Sequence, residues 1–587
     1  MFYVKDHKTI DMFDHFQHLG PKRRALLDTS WAKLFRNEVL PSLPVGLVKK
    51  HYDPANGRPS NELFAMLGVM LLQQMLDLDD EQTVEQFCFN LQWHFALNIT
   101  DAADASSYVC ARSLWTMRQI MSENDLYEQL FEGISDHLAK VLNVDTTLQR
   151  LDSVHLFSNM RHLGRIRLFA ATIRKFLVNL KRHHKKLFDA LPEELRTKYL
   201  SKKTESAFAM VKPSDSNRTL EELGKDLFFL IERFSGQQDV IAMTSYRLLA
   251  RLLSEQCIVT RDQQTNASNV TVKPNREVPS DSLQNPSDPD ATYDSHKGKG
   301  YQVQVAETYS RKHQADDERQ LSLITHIEVE PAHKSDAHAV LPYLEKMDAR
   351  DINPAEVLAD SLYGSDRNCE EARKQGVELI APAMASGTTG EICLADFTLA
   401  ETDEVLACPA GHAPTRMKKK KDRYSVMFDA EHCAACPRNK SCPTKQGKKG
   451  RYLRYGAKEA RLARRRVHEQ SEAFREKYRY RAGVEATMSE FDRRTGVKRL
   501  RFRGMKAVRY CVFLKATGLN ILRAAAHLAD KKTTKKQKDS KTDGVLSMVY
   551  AVVKDQEVAV STLLGKISPN IFRKGPEDNY QQAQLMA

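Results

Sequence analysis

No stretch of this 587-residue chain is apolar for long enough to cross a bilayer. The most apolar segment, residues 63–76 (LFAMLGVMLLQQML), falls short of the ~20 residues a spanning helix needs and carries Gln73 and Gln74. It reads as a buried helix, and no membrane partner is expected. The start of the chain, MFYVKDHKTIDMF, lacks a basic stretch followed by an apolar run, so no secretory signal is expected. Cysteine is scarce: ten residues in a chain this long exclude a disulfide scaffold and make a reducing cytoplasm the default. An acidic excess is also missing. The net charge is +13, with 41% hydrophobic and 28% charged residues, the balance of a soluble globular protein with a polyanionic partner. The charge is concentrated: residues 451–510 hold 19 Lys or Arg against 7 Asp or Glu, an excess of 12. A solvated surface would spread it, so a phosphate-binding face is expected there.

Residues 1–145 read as a helical domain, with Ser60 capping a helix after the GRP turn at residues 57–59. At residues 146–165 the pattern changes to the short alternation of a strand, TLQRLDSVHLF. Residues 166–285 read as a helical insertion, helical to about Val270, with Pro- and Ser-rich loop over 271–300. Residues 286–387 return to strands and helices. Tyr301, Val303 and Val305 alternate with glutamines, and Leu323 to Val329 alternate again. A helix is expected over 335–347, then the strand EVLAD ending at Asp360, a helix stopping at Gly376, and the strand VELIAP. Residues 388–456 form a Cys-rich insertion. Residues 457–529 are helical, with one helix over 457–494 closed by Gly496. Residues 530–587 are a charged linker and a tail with no assigned role. The fold class implied is α/β, a mixed sheet interrupted after its first strand.

Phosphodiester cleavage by two metals needs carboxylates that hold two cations about 3.5–4 Å apart. Mg²⁺ suits this because it accepts few protein ligands and leaves room for water and phosphate oxygens. Asp152 in a strand, Asp360 at the end of another and Glu485 on the basic helix make such a set. At about 100° per residue, Tyr478, Arg481, Glu485 and Asp492 share one sector of that helix, beside an apolar stripe of Val484, Met488 and Phe491. Any one of these carboxylates alone is more often a solvated surface residue; their shared context favours a site.

The segments RLDSVHL, ADSLYGS and YRYRAGVEATMSEFDRR resemble the three acidic blocks of the DDE transposases of bacterial insertion sequences. The last block matches that family's signature of Tyr, two residues, Arg, three residues, Glu at Tyr478, Arg481 and Glu485. The signature's later basic residue falls on Asp492, which leaves Arg493 or Lys498 to take its phosphate contact. NELFAMLGVMLLQQMLDLDDEQTVEQF is similar to the family's helical N-terminal domain, HKGKGYQVQVAET to the strand pair before the second aspartate, and CPAGHAP with CAACPRNKSC to the Cys-rich insert of a subgroup. The resemblance implies an RNase H-like core. Asp152, Asp360 and Glu485 would hold Mg²⁺ or Mn²⁺, and Tyr478 and Arg481 would contact DNA. It also implies hydrolysis at transposon ends, transfer of the 3′-hydroxyl to target duplex DNA, a homodimer pairing two ends, and a nucleoid-associated protein; the helical N-terminal domain is expected to bind DNA ends, with a dimerisation or docking unit as the alternative. Two other readings stand beside it: a non-catalytic DNA-binding regulator derived from a transposase, and an RNase H-like nuclease without strand transfer.

Cys408, Cys433, Cys436 and Cys442 have a spacing that allows a structural Zn²⁺, with His412 and His432 as substitutes, or reduced unligated thiols. Lys418 to Lys421 reads as a loop charge run or a DNA-backbone contact, and His183 with His184 as a solvated face.

Overall fold

The computed structural model describes residues 2–9, 13–56, 59–201, 208, 210–261, 268–311, 321–384 and 392–542. Gly57 and Arg58 of the expected turn, most of the polar segment after Ser310, and the tail from residue 543 onward lie outside the described residues. Residues 1–312 and 320–525 make one compact unit; residues 313–319 and 526–587 make a second. Among the described residues no helix is long and apolar enough to cross a membrane.

The N-terminal helices include α1 (Leu63–Met75), α2 (Asp80–Phe89), α3 (Ala111–Glu123) and α4 (Leu126–Val141). The apolar run becomes α1, buried almost throughout. Its cap is Glu62 rather than Ser60: the Glu62 carboxylate accepts from the backbone N–H of Phe64 (3.1 Å) and Ala65 (2.7 Å), whereas Ser60 accepts from the N–H of Tyr3. Glu62 lies one residue before the helix, where its side chain can fold back onto the unpaired N–H groups.

Strand β1 (Leu148–Phe157) is followed by three long helices, α5 (Arg165–His183), α6 (Ser216–Phe234) and α7 (Thr244–Gln256). Phe169, Ile173, Phe176, Leu177 and Leu180 of α5 meet Leu223, Leu227 and Leu230 of α6 and Leu249 and Leu252 of α7 in one apolar cluster. The helical reading stops short of Val270. CIVTR and SNVTV form an antiparallel hairpin, β2 (Cys257–Arg261) with β3 (Ser268–Val272), because their runs of β-branched residues suit a pleated surface, and β3 packs on α6.

The central sheet adds β4 (Thr292–Asp294), β5 (Gly298–Thr308), β6 (Ile324–Pro331), β7 (Glu356–Leu358) and β8 (Glu378–Ile380). The order is β4–β5–β1–β7–β8, with β6 also on β5. β1, β4 and β6 run antiparallel to β5, whereas β7 is parallel to both β1 and β8. Helices α8 (Val340–Ala349) and α9 (Asp366–Lys374) supply Val340, Tyr343, Leu344, Met347 and Ala372 to the cluster that covers Leu151 and Ala306. Residues 336–338, inside the helix expected over 335–347, form a separate 3₁₀ turn. The architecture is a mixed α/β sheet with helices.

Beyond the central sheet, β9 (Thr398–Leu399) pairs with β10 (Val405–Ala407), and β11 (Arg416–Lys420), β12 (Arg423–Phe428), β13 (Lys445–Gln446) and β14 (Arg451–Gly456) form a four-stranded sheet. The lysine run is therefore an exposed strand that turns at Lys421 (φ 51°), not a loop.

The single helix expected over 457–494 is three helices and a 3₁₀ turn: α10 (Ala457–Glu469), α11 (Glu472–Tyr478), residues 479–482, and α12 (Gly483–Thr495). Ser471 accepts from the N–H of Phe474 and starts a new helix. Gly496 closes α12 in the left-handed region (φ 64°), its N–H on the Asp492 carbonyl at 2.7 Å. The last helix, α13, spans Met505–Thr542, so the first part of the segment expected as linker is helical.

Candidate active site

Along β1 the side chains alternate between two environments. Leu151 joins the apolar cluster under α8, whereas Arg150 and Asp152 face α12. The parallel register pairs Leu148 with Glu356 and Arg150 with Leu358. Carried two residues further, it sets Asp152 level with Asp360, just past the end of β7. Asp360 stays at that edge because its own carboxylate accepts the N–H of Leu362 at 2.8 Å and turns the chain.

Arg481, in the 3₁₀ turn before α12, joins the third carboxylate to the first. One guanidinium nitrogen is 2.9 Å from Asp152 and another is 3.1 Å from Glu485. The expected 100° progression does not run unbroken through the turn, but Arg481 and Glu485 still meet four residues apart. Burial pushes the Asp152 carboxyl above its ordinary range. Arg481 and the Ser153 N–H pull it down, and the charges of Asp360 and Asp336 add to the rise. Tyr478 is half-buried, stacked on Phe474 at 5.2 Å. Its phenol is raised by burial, against Arg481, with Asp360 and Asp152 contributing. Asp152, Asp360, Glu485, Tyr478 and Arg481 thus share one locality.

The other expected contacts are not drawn in. Arg493 is exposed, Lys498 is half-buried, and neither bonds to these carboxylates. Asp492, at the signature's basic position, has a local use: it accepts the backbone N–H of Lys498 at 3.1 Å and holds the turn after α12.

Beneath Asp152 lies a polar network that the sequence reading missed. Tyr363, fully buried, donates to Gln304 (2.6 Å); Gln304 donates to Asp336 (2.8 Å); and Ser153 donates to the second oxygen of Asp336 (3.1 Å). It ties the residue after Asp152 to the turn after Asp360. The available signal was the pair of glutamines in YQVQV, polar residues in a strand that is covered on both faces.

A second buried group fixes α12 and α13 to the sheet. Glu307, with no exposed side chain, accepts from Arg150 (2.7 Å), Thr487 (2.6 Å) and Arg523 (3.0 Å). Arg150 also donates to the carbonyl of Tyr480 at 2.8 Å, which holds the turn that carries Arg481.

Among the described residues no group of three or more His, Cys, Asp or Glu side chains is disposed to hold a metal ion. The donor chemistry nevertheless suits a hard cation: a buried carboxyl, raised by burial and by neighbouring carboxylates, faces oxygen donors and a single guanidinium. Cys408, Cys433, Cys436 and Cys442, all partly buried, line one cavity of about 210 Å³ with His412 and His432, whose rings stack at 4.8 Å. Burial raises the Cys433 thiol, Arg451 opposes this, and the other three thiols add to the rise.

Residues 407–525 match a family model described as a transposase DDE domain, and residues 33–119 match one described as a transposase domain. The first match holds Tyr478, Arg481, Glu485 and the four cysteines; the second holds α1 to most of α3. The chain is similar to transposases over these two segments. No curated protein and no solved structure matches it.

Proposed function

We propose that this chain is a DDE transposase with an RNase H-like core, which cuts duplex DNA at the ends of a mobile element and joins the resulting 3′-hydroxyl to target DNA. The observation that carries the reading is the placement of Asp152 on β1 beside Asp360, just past the end of the parallel β7, with Glu485 across Arg481, inside a chain similar to transposases. Two features support the core assignment: the strand order β6–β5–β1–β7–β8 and the switch from antiparallel to parallel pairing at β1.

Asp152, Asp360 and Glu485 are the residues that would hold Mg²⁺ or Mn²⁺, and the bound cation would polarise the scissile phosphate and the attacking water or hydroxyl. Arg481 is the phosphate contact nearest the carboxylates. Tyr478 lies beside it to stack on or hydrogen-bond to the DNA backbone, and Arg493 or Lys498 extends the basic face. Two ends must be paired, so the active form is a homodimer, acting in the cytoplasm at the nucleoid. Cys408, Cys433, Cys436 and Cys442 hold a structural Zn²⁺ in the same reading, which metal analysis of the purified protein tests.

The deciding experiment incubates the full chain with a labelled duplex of the element's end, target DNA and Mg²⁺. Nicking followed by a joined product is expected. Binding without nicking would instead leave a DNA-binding regulator, and nicking without joining a simple nuclease.

A further inference from the structure

The helical insertion carries a charged surface that the catalytic reading leaves unused. From Ser153 to Phe188 the chain has no Asp or Glu against nine Lys or Arg. Most of this stretch is α5, which buries Phe169, Ile173, Phe176 and Leu180 in the insertion's core. At about 100° per residue, Arg167, Arg174 and Lys181 fall within about 40° of one another away from that core, spaced by about 10.5 Å along the axis, and the exposed Arg182 follows Lys181 on the outer side. The helix's inner cations are held by neutral groups: Arg165 donates to Gln256, Asn275 and the Lys273 carbonyl, and Lys175 to the Pro286 carbonyl. These contacts fix the side chains without cancelling their charge.

The surface reaches the strand that carries Asp152. Lys297 Nζ is 3.4 Å from the hydroxyl of Ser153, next to Asp152. Lys299 donates to the Leu163 carbonyl at the start of α5 (3.2 Å), and its charge, with burial, holds His162 below the ordinary histidine range. Asn159, between β1 and α5, accepts from Arg503 (2.6 Å) and donates to the Arg501 carbonyl (3.0 Å), which joins the basic segment after α12 to this path. The acids along it are engaged locally: Asp294 accepts the N–H groups of His296 and Lys297, and Asp288 accepts from Ser158 and Tyr301.

We propose that the acid-free face of α5, continued through Lys299 and Lys297, binds the phosphates of duplex DNA leading away from the acidic site. The inference rests on the transposase reading and gives its DNA partner a second contact surface, which adjoins the 451–510 stretch at Arg501 and Arg503. Two strands of phosphate crossing a row of cations release bound counterions, so affinity there depends steeply on salt.

The test measures fluorescence anisotropy of a labelled duplex, long enough to reach past the acidic site, against salt with the full chain. Combined Arg167→Gln, Lys181→Gln and Arg182→Gln is expected to lower the slope of log affinity against log salt by about 2–3 and weaken binding at least tenfold at physiological salt. Arg167→Lys with Arg182→Lys, which keeps the charge, is expected to retain the wild-type slope. If the wild type binds and the triple variant keeps its slope, the inference is overturned and the transposase reading stands. An equal fall in the lysine variant would also overturn it, since the effect would then be one of shape. A wild type that does not bind duplex DNA overturns both.

Discussion

The Arg481 guanidinium lies 2.9 Å from Asp152, and its other arm reaches Glu485 at 3.1 Å, so one cation bridges two of the three proposed ligands. Asp152 is mostly buried, and Glu485 is largely exposed. The pair therefore ties an exposed carboxylate to a buried one. Arg481→Ala is expected to release Glu485 and leave Asp152 without its counter-charge. Stability should fall by about 1–3 kcal/mol, and cleavage of a labelled DNA end by on the order of 10²-fold. Arg481→Lys should recover stability more than cleavage, because an ammonium cannot span both carboxylates as a planar fork does. Wild-type cleavage by the alanine variant would remove Arg481 from the site.

Asp152 makes an opposite prediction about stability. Its carboxyl is raised by burial and by Asp360 and Asp336 despite Arg481, so the folded chain holds that proton more tightly than the unfolded chain does. The linkage therefore favours the fold below the ordinary aspartate range, and this contribution is lost as pH rises through the raised value. At neutral pH, Asp152→Asn is expected to leave Tm unchanged or higher while abolishing cleavage. Mg²⁺ or Mn²⁺ should raise the Tm of the wild type and not that of the variant. Calorimetry with and without the cation checks both, and an equal shift in the two proteins would take Asp152 out of the ligand set.

Periodicity made much of this legible. The strand at Asp152, the YQVQV strand and the buried helix at residues 63–75 follow from local alternation or an apolar run, and the structure has them. The hairpin at Cys257–Arg261 and Ser268–Val272 was hidden because it follows long helices and is as short as a helix end. The break between Glu469 and Glu472 was hidden because strong helix formers flank it and only the Ser471 cap marks it. Asp336 could not be found from sequence. Its role depends on Gln304 and Ser153, which the fold brings from two other strands.

Glu62 gives a pH prediction away from the site. Burial works to raise its carboxyl, but the His7 ring and the backbone N–H groups of Lys5, Ala65 and Phe64 outweigh it and hold the group below its ordinary value of 4.5. Its stabilisation is therefore present above that value and lost as pH falls through the lowered one. Glu62→Ala should cost about 1 kcal/mol at neutral pH. The gap between variant and wild type should close on acidification, as urea titrations at several pH values would show. A gap that stays constant with pH would mean the carboxylate does not cap α1.

The network of Tyr363, Gln304, Asp336 and Ser153 lets the importance of strand alignment be measured apart from ligand chemistry. None of the four is a proposed ligand, yet together they hold the chain after Asp152 to the chain after Asp360. Gln304→Leu leaves the buried Tyr363 hydroxyl without its acceptor and Asp336 without one donor, at about 1–3 kcal/mol. Asp336→Asn keeps the shape and can still accept from Ser153 or Gln304, though it also removes a negative charge that helps to raise Asp152. Gln304→Leu should therefore lower Tm and cleavage together, because the two aspartates lose their common support. Asp336→Asn should lower Tm less, and its cleavage should need a higher Mg²⁺ concentration, since less negative charge draws the cation in. Titrating cleavage against Mg²⁺ separates the two: an unchanged half-saturating concentration in Asp336→Asn would limit Asp336 to a structural bond.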